Sequence, residues 1–551
     1  MRKFKDYLRW ISLQSEVSVD LLSDIFLHSG RGGHGNIFES KEEIEILKFL
    51  NVTDIEWSLN SSKIRSKTMF FYHLRQGDAP FKTLLRRLEQ CSLENCNLDI
   101  VLTINDNDSE DTIIDNGART LKQNFPRLKL MIVREEFFLE LQSCLLQSLY
   151  RINWNQKRLV GITGTNGKTT TTFLAKQIAN LLGNRAAALG TLGVSSAENE
   201  GFCELESGLT TPPFIELYKT LYRLYEIENH DLCFMEVSSH AISQERIYGM
   251  KFDLVAWTSF GRDHLDFHLT MQAYFDCKLS LVSYLKKGEH KFFIPWNENQ
   301  LQEKISKTSL VSLSHPLEDY GMSWMDEKFP EFLKSEFNKK NFELALQINY
   351  FLNFGEDFRD RFLNKFKQQL QLEQNIHKLK AAEGRFAIYK FRDKQDKQGE
   401  REKIEKIVVI DYAHTPDALE KICLGIREVF PGKDLVLLFG CGGERDHGKR
   451  PLMGEIAQRY ANKIYLTSDN PRSEDPDFII SQIRSGISKT SIPIEVIVDR
   501  KMAVRSAYSG MDENQVLLLA GKGPEPYLLI KGVKYEYSDL QAVTDAASMD
   551  V

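Results

Sequence analysis

Proline and cysteine are scarce, at 15 and 8 of 551 residues. No two cysteines stand in a C-x-x-C pair. Cys91, Cys96, Cys144, Cys203, Cys233, Cys277, Cys423 and Cys441 are scattered, which excludes a zinc ribbon and argues against a disulfide scaffold. Long apolar runs are missing too. No stretch approaches the roughly 18 consecutive apolar residues of a membrane-spanning helix, so no membrane association is expected. The opening Met1-Arg2-Lys3-Phe4-Lys5-Asp6 meets charge before any apolar run forms, and a secretory leader is not expected. Nor is there a basic surplus: the net charge of −6 and pI near 6.1 disfavour nucleic acid as a partner. These absences make a cytoplasmic protein the expectation. With 42% hydrophobic and 27% charged residues the chain is of ordinary globular composition. Its length suggests three or four domains at about 150 residues each.

The most informative stretch is Leu159-Val160-Gly161-Ile162-Thr163-Gly164-Thr165-Asn166-Gly167-Lys168-Thr169-Thr170. An apolar β-type run enters a Gly-rich turn, and Thr169 to Leu182 then reads as a helix burying Phe173, Leu174, Ile178, Leu181 and Leu182. Backbone N–H groups at a helix start, glycines that let the backbone come close, and a lysine charge make an anion cradle. The full P-loop pattern would place glycine where Ile162 stands. The shorter Gly164-x-x-Gly167-Lys168-Thr169 core, in its strand-to-helix setting, still reads as a nucleoside-triphosphate site. Lys168 would face the β/γ-phosphates and the Thr169 hydroxyl a Mg²⁺ ion.

Residues 1–152 read as a small α/β domain without obvious chemistry. Strand-like runs lie at Thr68–His73, Ile100–Ile104 and Lys129–Val133, and Glu135–Tyr150 has helical amphipathicity. Beyond the phosphate loop, Thr210 and Thr211 precede Pro212-Pro213. They either face a cleft or form a capping turn before a helix from Phe214 to Tyr225. The buried strand Leu232–Val237 carries Glu236, placed where an NTPase sets its metal-organising acid. Asp263-His264-Leu265-Asp266-Phe267-His268 spaces two histidines four apart. The zincin surroundings are missing, so His264 is read as a candidate ligand to Mg²⁺ rather than to zinc. Lys278, on a helix read as Met271–Leu285, looks from composition like a surface lysine. Residues 298–335 read as a polar, irregular insertion, followed by a helix from Phe337 to Asn353.

The last third has the clearest fold signal. Apolar runs at Ile407–Ile410, Leu435–Phe439, Lys463–Thr467, Ile494–Val498 and Val516–Ala520 alternate with helices near 416–429, 451–461, 476–487 and 501–509. That rhythm is a parallel, doubly wound sheet, whose ligands bind beyond the carboxyl ends of the strands. Polar or Gly-rich motifs stand at four such ends: Asp411-Tyr412-Ala413-His414, Gly440-Cys441-Gly442-Gly443-Glu444-Arg445, Asp469-Asn470-Pro471-Arg472 and Gly521-Lys522-Gly523-Pro524-Glu525. The dinucleotide fingerprint G-x-G-x-x-G is absent after the first strand.

From Arg158 to Ala542 this series of motifs resembles the Mur ligases, ATP-dependent amide-forming synthetases of peptidoglycan precursor assembly. The motifs are Gly-Thr-Asn-Gly-Lys-Thr-Thr, Thr-Thr-Pro, Glu-Val-Ser-Ser-His, Asp-His-Leu-Asp-x-His, Gly384-Arg385, Asp-Tyr-Ala-His-Thr-Pro, Gly-Cys-Gly-Gly-x-Arg-Asp and Asp-Asn-Pro-Arg. The resemblance implies an α/β protein of three domains: a UDP-substrate domain (1–152), a central P-loop ATPase domain with a mostly parallel sheet (153–381), and a Rossmann-like amino-acid domain (382–551). It implies that Gly164, Thr165, Asn166, Gly167, Lys168, Thr169, Thr170, Arg385, Asp411 and His414 face ATP. Glu236 and His264 would organise Mg²⁺, helped by Lys278 as a carbamate formed from CO₂, which replaces the surface reading of that lysine. Ser61, Thr210, Thr211, Ser238, Gln244 and Arg246 would hold a UDP-MurNAc-dipeptide. Arg445, Asp469, Asn470, Pro471, Arg472, Gly521 and Glu525 would hold meso-diaminopimelate. Arg472 would grip the carboxylate that L-lysine lacks, and Glu525 suits the distal ammonium. Three positions depart from the family pattern: Pro524 replaces a usual His, Ser259 a usual Asn, and Asn60-Ser61-Ser62 an Asp-Ser-Arg signature. The rival readings are a related Mur or folylpolyglutamate-type ligase with another acceptor or L-lysine, and a non-catalytic nucleotide-binding regulator. The expected partners are small molecules, and the expected state is a monomer.

Overall fold

The structure is a computed structural model. It describes short strands and single positions before residue 152, then residues 152–197, 202–205, 207–286, 292–295, 301–303, 311–313, 316, 327–354, 375–392, 405–488 and 491–549. The chain forms two compact units. One comprises Met1–Arg158, Pro212–Asn229 and Ser243–Lys251; the other comprises Leu159–Thr211, His230–Ile242 and Phe252–Val551.

In the first unit five strands, β1 (Arg9–Ile11), β2 (Asp54–Glu56), β3 (Thr68–His73), β4 (Leu98–Ile104) and β5 (Lys129–Arg134), pair in the order β1-β5-β4-β3-β2. All pairs are parallel except β1 with β5. The same unit contains α2 (Phe214–Tyr222), which continues as one π-helical turn, Arg223–Ile227. Tyr218 packs edge-on against Trp154 and Phe214, and the Tyr225 hydroxyl donates to the Arg158 carbonyl at 2.8 Å.

The second unit holds two sheets. The first is built from β6 (Arg158–Thr163), β7 (Ala186–Gly190), β8 (Gly193–Ser195), β9 (Leu232–Glu236), β10 (Leu254–Trp257), β11 (Phe292–Ile294) and β12 (Val311–Leu313), in the order β12-β11-β10-β6-β9-β7-β8. The pairs β12–β11, β11–β10, β10–β6 and β9–β7 are parallel, and β8 runs antiparallel to β7. The central strands β6, β9 and β10 are buried almost throughout and mostly apolar because both faces are covered. The helices α1 (Lys168–Leu181) and α4 (Glu336–Phe354) cross the phosphate-loop side, and the Asn349 amide, wholly buried, donates to the Ala175 carbonyl at 2.9 Å. The stretch expected to be irregular thus contains β12, a strand too short to show a period. The helix expected to reach Leu285 ends as α3 (Met271–Leu279) and tightens into a 3₁₀ segment, Ser280–Tyr284.

The second sheet follows the predicted rhythm. Its strands are β13 (Ala387–Arg392), β14 (Glu405–Asp411), β15 (Asp434–Phe439), β16 (Lys463–Leu466), β17 (Ile494–Val496) and β18 (Gln515–Ala520), in the order β13-β14-β18-β15-β16-β17. All pairs are parallel except the edge strand β13, which lies antiparallel to β14. The crossover helices are α5 (Pro416–Val429), α6 (Lys449–Tyr460), α7 (Pro476–Ser485) and α8 (Arg500–Ser509). Side chains alternate across the strands: Ile407, Val409, Leu435 and Leu437 face one core, while Val408, Ile410, Val436 and Leu438 face the other with Val504 and Val543. A hairpin of β19 (Tyr527–Ile530) and β20 (Val533–Glu536) and the last helix, α9 (Asp539–Met549), complete the unit. Beneath that helix the Arg500 guanidinium meets Asp539 through two bonds of 2.8 and 2.7 Å, both side chains fully buried.

Candidate active site

The turn between β6 and α1 is shaped by two glycines in left-handed or extended positive-φ conformations. Gly164 has φ +148 and Gly167 φ +87. A Cβ on Gly164 would come 2.0 Å from Thr258 Oγ1, and one on Gly167 2.5 Å from Asn341 Oδ1, so no other residue fits. No side chain caps α1 and no acidic residue sits in its first turn. The N–H groups that open the helix therefore remain available for an anion. Ser259, standing where the family usually has asparagine, serves the loop: its Oγ accepts from the Asn166 N–H at 2.9 Å and donates to the Asn166 carbonyl at 3.0 Å.

Lys168 folds back over the loop, donating to the Gly164 and Thr165 carbonyls at 2.8 and 3.0 Å. Burial lowers its pKa, and nearby Arg385 pushes the same way, against Glu236 and Asp263. Glu236 ends β9 and is 1% exposed. Its Oε2 accepts from the Thr169 hydroxyl at 3.1 Å and from the Thr191 hydroxyl at 3.2 Å, and its Oε1 from the Thr191 N–H at 2.9 Å. Thr191, which the sequence reading did not single out, also bonds Thr210 at 3.1 Å. A buried carboxylate with only neutral hydrogen-bond donors and no ion-pair partner among the described residues has room in its charge balance for a cation.

Lys278 is 2% exposed, which overturns the surface reading of that lysine. Its ammonium donates to the Gly164 carbonyl at 2.9 Å and lies 4.7 Å from the Tyr274 ring centre. Burial first, then the charge of Lys168, lowers its pKa well below the ordinary lysine value. His264 sits in a left-handed conformation, φ 53, beside Asp263 and edge-on to His240 at 4.7 Å. Burial drives its pKa down to about 4, leaving a neutral imidazole at physiological pH. Among the described residues no three His, Cys, Asp or Glu side chains converge to hold a metal by themselves.

The carboxyl ends of the second sheet meet this loop. Arg385 donates to the Thr169 hydroxyl at 3.3 Å and stacks on the Tyr412 ring at 4.5 Å. The Asn166 amide donates to Asp417 at the start of α5, 2.7 Å away. Asp411 accepts the Phe386 and Ala413 N–H groups, and burial raises its pKa. His414 donates from Nδ1 to the Tyr412 carbonyl at 2.8 Å, and burial lowers its pKa.

On the far side of Tyr412 lies a second cluster. The Tyr412 hydroxyl donates to Glu525 Oε1 at 3.1 Å, and Asn470 Nδ2 donates to Glu525 Oε2 at 2.8 Å. Arg472 takes a left-handed backbone, φ 53, held by its N–H to the Leu529 carbonyl and by the Lys531 N–H to its own carbonyl. Its Nη1 donates to the Gly443 carbonyl at 2.6 Å. Gly521, φ +97, lies so close to Asp469 that a Cβ would come 2.8 Å from Oδ2. Pro471 is buried and Arg445 exposed. Pro524, the departure from the family's His, packs against Gly384, whose Cβ would clash at 2.5 Å.

The expected UDP-substrate residues divide. Thr211 does not face a cleft; it is wholly buried, because its hydroxyl is consumed by the Glu236 carbonyl at 2.9 Å and by the Ser238 N–H at 3.0 Å. It does not cap α2 either, which starts after Pro213 without a side-chain cap. Thr210 is half-buried beside Thr191. Gln244 and Arg246 belong to the first unit and bond each other there. Ser61, with its neighbours Asn60 and Ser62, lies outside the described residues.

Two family models match the chain: the Mur ligase middle domain over residues 162–348, and the Mur ligase glutamate ligase domain over 399–523. The UDP-N-acetylmuramoyl-L-alanyl-D-glutamate–2,6-diaminopimelate ligase of Haemophilus ducreyi is 32% identical over 462 residues, covering 80% of this chain and 86% of that protein. The enzyme of the same name from Aquifex aeolicus is 36% identical over 413 residues, covering 71% and 78%. A solved ligase of that name superposes with a TM-score of 0.51 at 24% identity, covering 90% of this chain and 95% of the other. The MurF ligase of Thermotoga maritima in complex with ADP superposes with 0.53 at 14% identity, covering 91% and 98%. These two likenesses are of fold.

Proposed function

The chain belongs to the Mur ligase family, and on that premise we propose that it joins meso-2,6-diaminopimelate to the D-Glu γ-carboxylate of UDP-N-acetylmuramoyl-L-Ala-D-Glu, with release of ADP and phosphate, in cytoplasmic peptidoglycan precursor synthesis. One observation carries the reading: Thr169, Arg385, Tyr412 and Glu525 form an unbroken chain of contacts from the phosphate loop to the amino-acid cluster at Asn470 and Arg472.

A carboxylate is a poor electrophile. In the proposed reaction its oxygen attacks the γ-phosphorus of ATP and ADP departs, leaving an acyl phosphate. The amine of the incoming amino acid then adds to the acyl carbon, loses a proton, and the tetrahedral intermediate expels phosphate as the amide forms. No side-chain nucleophile is required, so the protein contributes positioning and charge. The loop N–H groups and Lys168 would hold the β/γ-phosphates. Lys168 would leave the Gly164 and Thr165 carbonyls to do so.

Mg²⁺ fits the residues present. The buried Glu236, without an ion-pair partner among the described residues, and the Thr169 hydroxyl would hold it, with His264 and a Lys278 carbamate nearby, and substrate phosphates would complete a coordination that the described residues alone do not fill. The ion would supply charge neutralisation on the phosphates. Lys278 suits carbamate formation because burial lowers its pKa and so favours the neutral amine, the form that adds to CO₂. Thr210, Ser238, Gln244 and Arg246 are assigned to the UDP-linked substrate, and the three-domain division at 152/153 and 381/382 belongs to the same proposal. A monomer is proposed as the working state.

The test is phosphate release and product mass with ATP, Mg²⁺ and UDP-N-acetylmuramoyl-L-Ala-D-Glu, in parallel with meso-diaminopimelate, L-lysine or no amino acid. A mass gain that depends on diaminopimelate is expected. Activity with L-lysine alone would overturn the assigned specificity, and silence with every amino acid would point to another acceptor or to a nucleotide-binding regulator.

A further inference from the structure

Glu525, the carboxylate assigned to the distal ammonium, already has an ammonium on it. Lys522 is 0% exposed, and its Nζ lies 2.6 Å from Glu525 Oε2 and 3.1 Å from Asn470 Oδ1, with the Tyr527 ring centre at 5.0 Å. A buried ammonium needs a partner, and these contacts satisfy it in place. Oε2 therefore carries two strong donors, Lys522 and Asn470, whereas among the described residues Oε1 carries only the Tyr412 hydroxyl. Arg472 is the converse case. Nη1 is bound to the Gly443 carbonyl, and the rest of the guanidinium has no partner among the described residues. Asp469, 7% exposed, adds a second carboxylate beside Gly521.

We infer that Lys522 is a specificity-determining residue: by pairing with Glu525 it makes the pocket electrically neutral, matched to a substrate end bearing both an ammonium and a carboxylate and mismatched to an ammonium alone. The inference rests on the amino-acid ligase reading above. Within that cluster Arg472 and Lys522 balance Glu525 and Asp469; Arg500, which also faces Asp469, is paired with Asp539, and Arg445 and Lys534 are solvent-exposed. A zwitterionic end brings no net charge, its carboxylate meeting Arg472 and its ammonium the open side of Oε1. A lone ammonium adds uncompensated charge near the buried Lys522 and leaves the half-buried Arg472 guanidinium without an anion. Taking the charge off Lys522 leaves one net negative charge, which favours the lone ammonium. Lys522 thus acts through Glu525, as a positioning and charge-setting group rather than a catalytic one.

The test compares kcat and KM of the full-length wild type, Lys522→Met and Lys522→Arg with meso-diaminopimelate and with L-lysine, at saturating ATP and UDP-linked substrate. In Lys522→Met the ratio of kcat/KM for L-lysine to that for diaminopimelate is expected to rise about tenfold or more. The change should lie in the amino-acid KM with the ATP KM unmoved, and Lys522→Arg should restore the wild-type ratio. Equal losses with both amino acids would mean a structural role only and would overturn the inference. Should Lys522→Met fail to fold, the double variant Lys522→Met/Glu525→Gln removes both charges of the pair. It should keep its preference for diaminopimelate, and a gain of lysine activity there would overturn the inference. A wild type inactive with either amino acid would instead overturn the ligase reading itself.

Discussion

Replacing Thr191 by valine removes one hydroxyl from the Glu236 carboxylate while keeping the shape of the side chain. The Thr191 N–H stays on Oε1 at 2.9 Å, and the Thr169 hydroxyl stays on Oε2 at 3.1 Å, so only the 3.2 Å bond and its link to Thr210 are lost. A hydrogen bond to a charged group contributes about 1.5–3 kcal/mol. Because Oε2 keeps one donor, the loss belongs near about 1.5 kcal/mol, which is roughly tenfold in rate. The effect should be selective. Glu236 is the acid assigned to Mg²⁺, so the Mg²⁺ concentration for half-maximal phosphate release should rise and kcat fall, with the KM for the amino acid unchanged. Phosphate release titrated with Mg²⁺ at saturating substrates measures both. An unchanged Mg²⁺ dependence with unchanged kcat would refute the claim that Thr191 holds the carboxylate in its working position. Equal losses across every substrate would mean that the valine had disturbed the fold around β7 instead.

Lys168→Ala should abolish ATP turnover, measured as phosphate release; near-normal turnover would remove the phosphate-loop assignment. Arg472→Ala should raise the KM for diaminopimelate far more than that for ATP, and equal effects on both would defeat its specificity role. Glu474 tests a different property. Its hydrogen bonds from Arg450 hold its pKa near 2, below the ordinary 4.5, so the carboxylate favours the folded state above the higher value and loses that contribution as pH falls toward the lower. Glu474→Gln should therefore flatten the decline of Tm across that acid window, and parallel Tm profiles for the two proteins would contradict the pairing.

The phosphate loop was legible because its chemistry is contiguous: strand, glycines, lysine and helix start follow one another, and their geometry is local. The second sheet was legible because buried parallel strands announce themselves as apolar runs between amphipathic helices. The short strands β8, β11 and β12, of three residues each, left no period to detect. Composition placed Lys278 on a surface, but its side chain lies on the Tyr274 ring of its own helix, donates to the Gly164 carbonyl and is enclosed.

By itself the sequence determined the fold class, the strand–glycine–helix phosphate-loop motif and the four polar or Gly-rich strand ends, since each depends on neighbours in the chain. Only the tertiary structure decided which side chains complete them. Thr191 reaches Glu236 across 45 positions, Asn166 reaches Asp417 across 251, and Asn470 reaches Lys522 across 52. Packing against distant elements brings such groups together and sets their burial, and with it their charge state, so no local pattern encodes them.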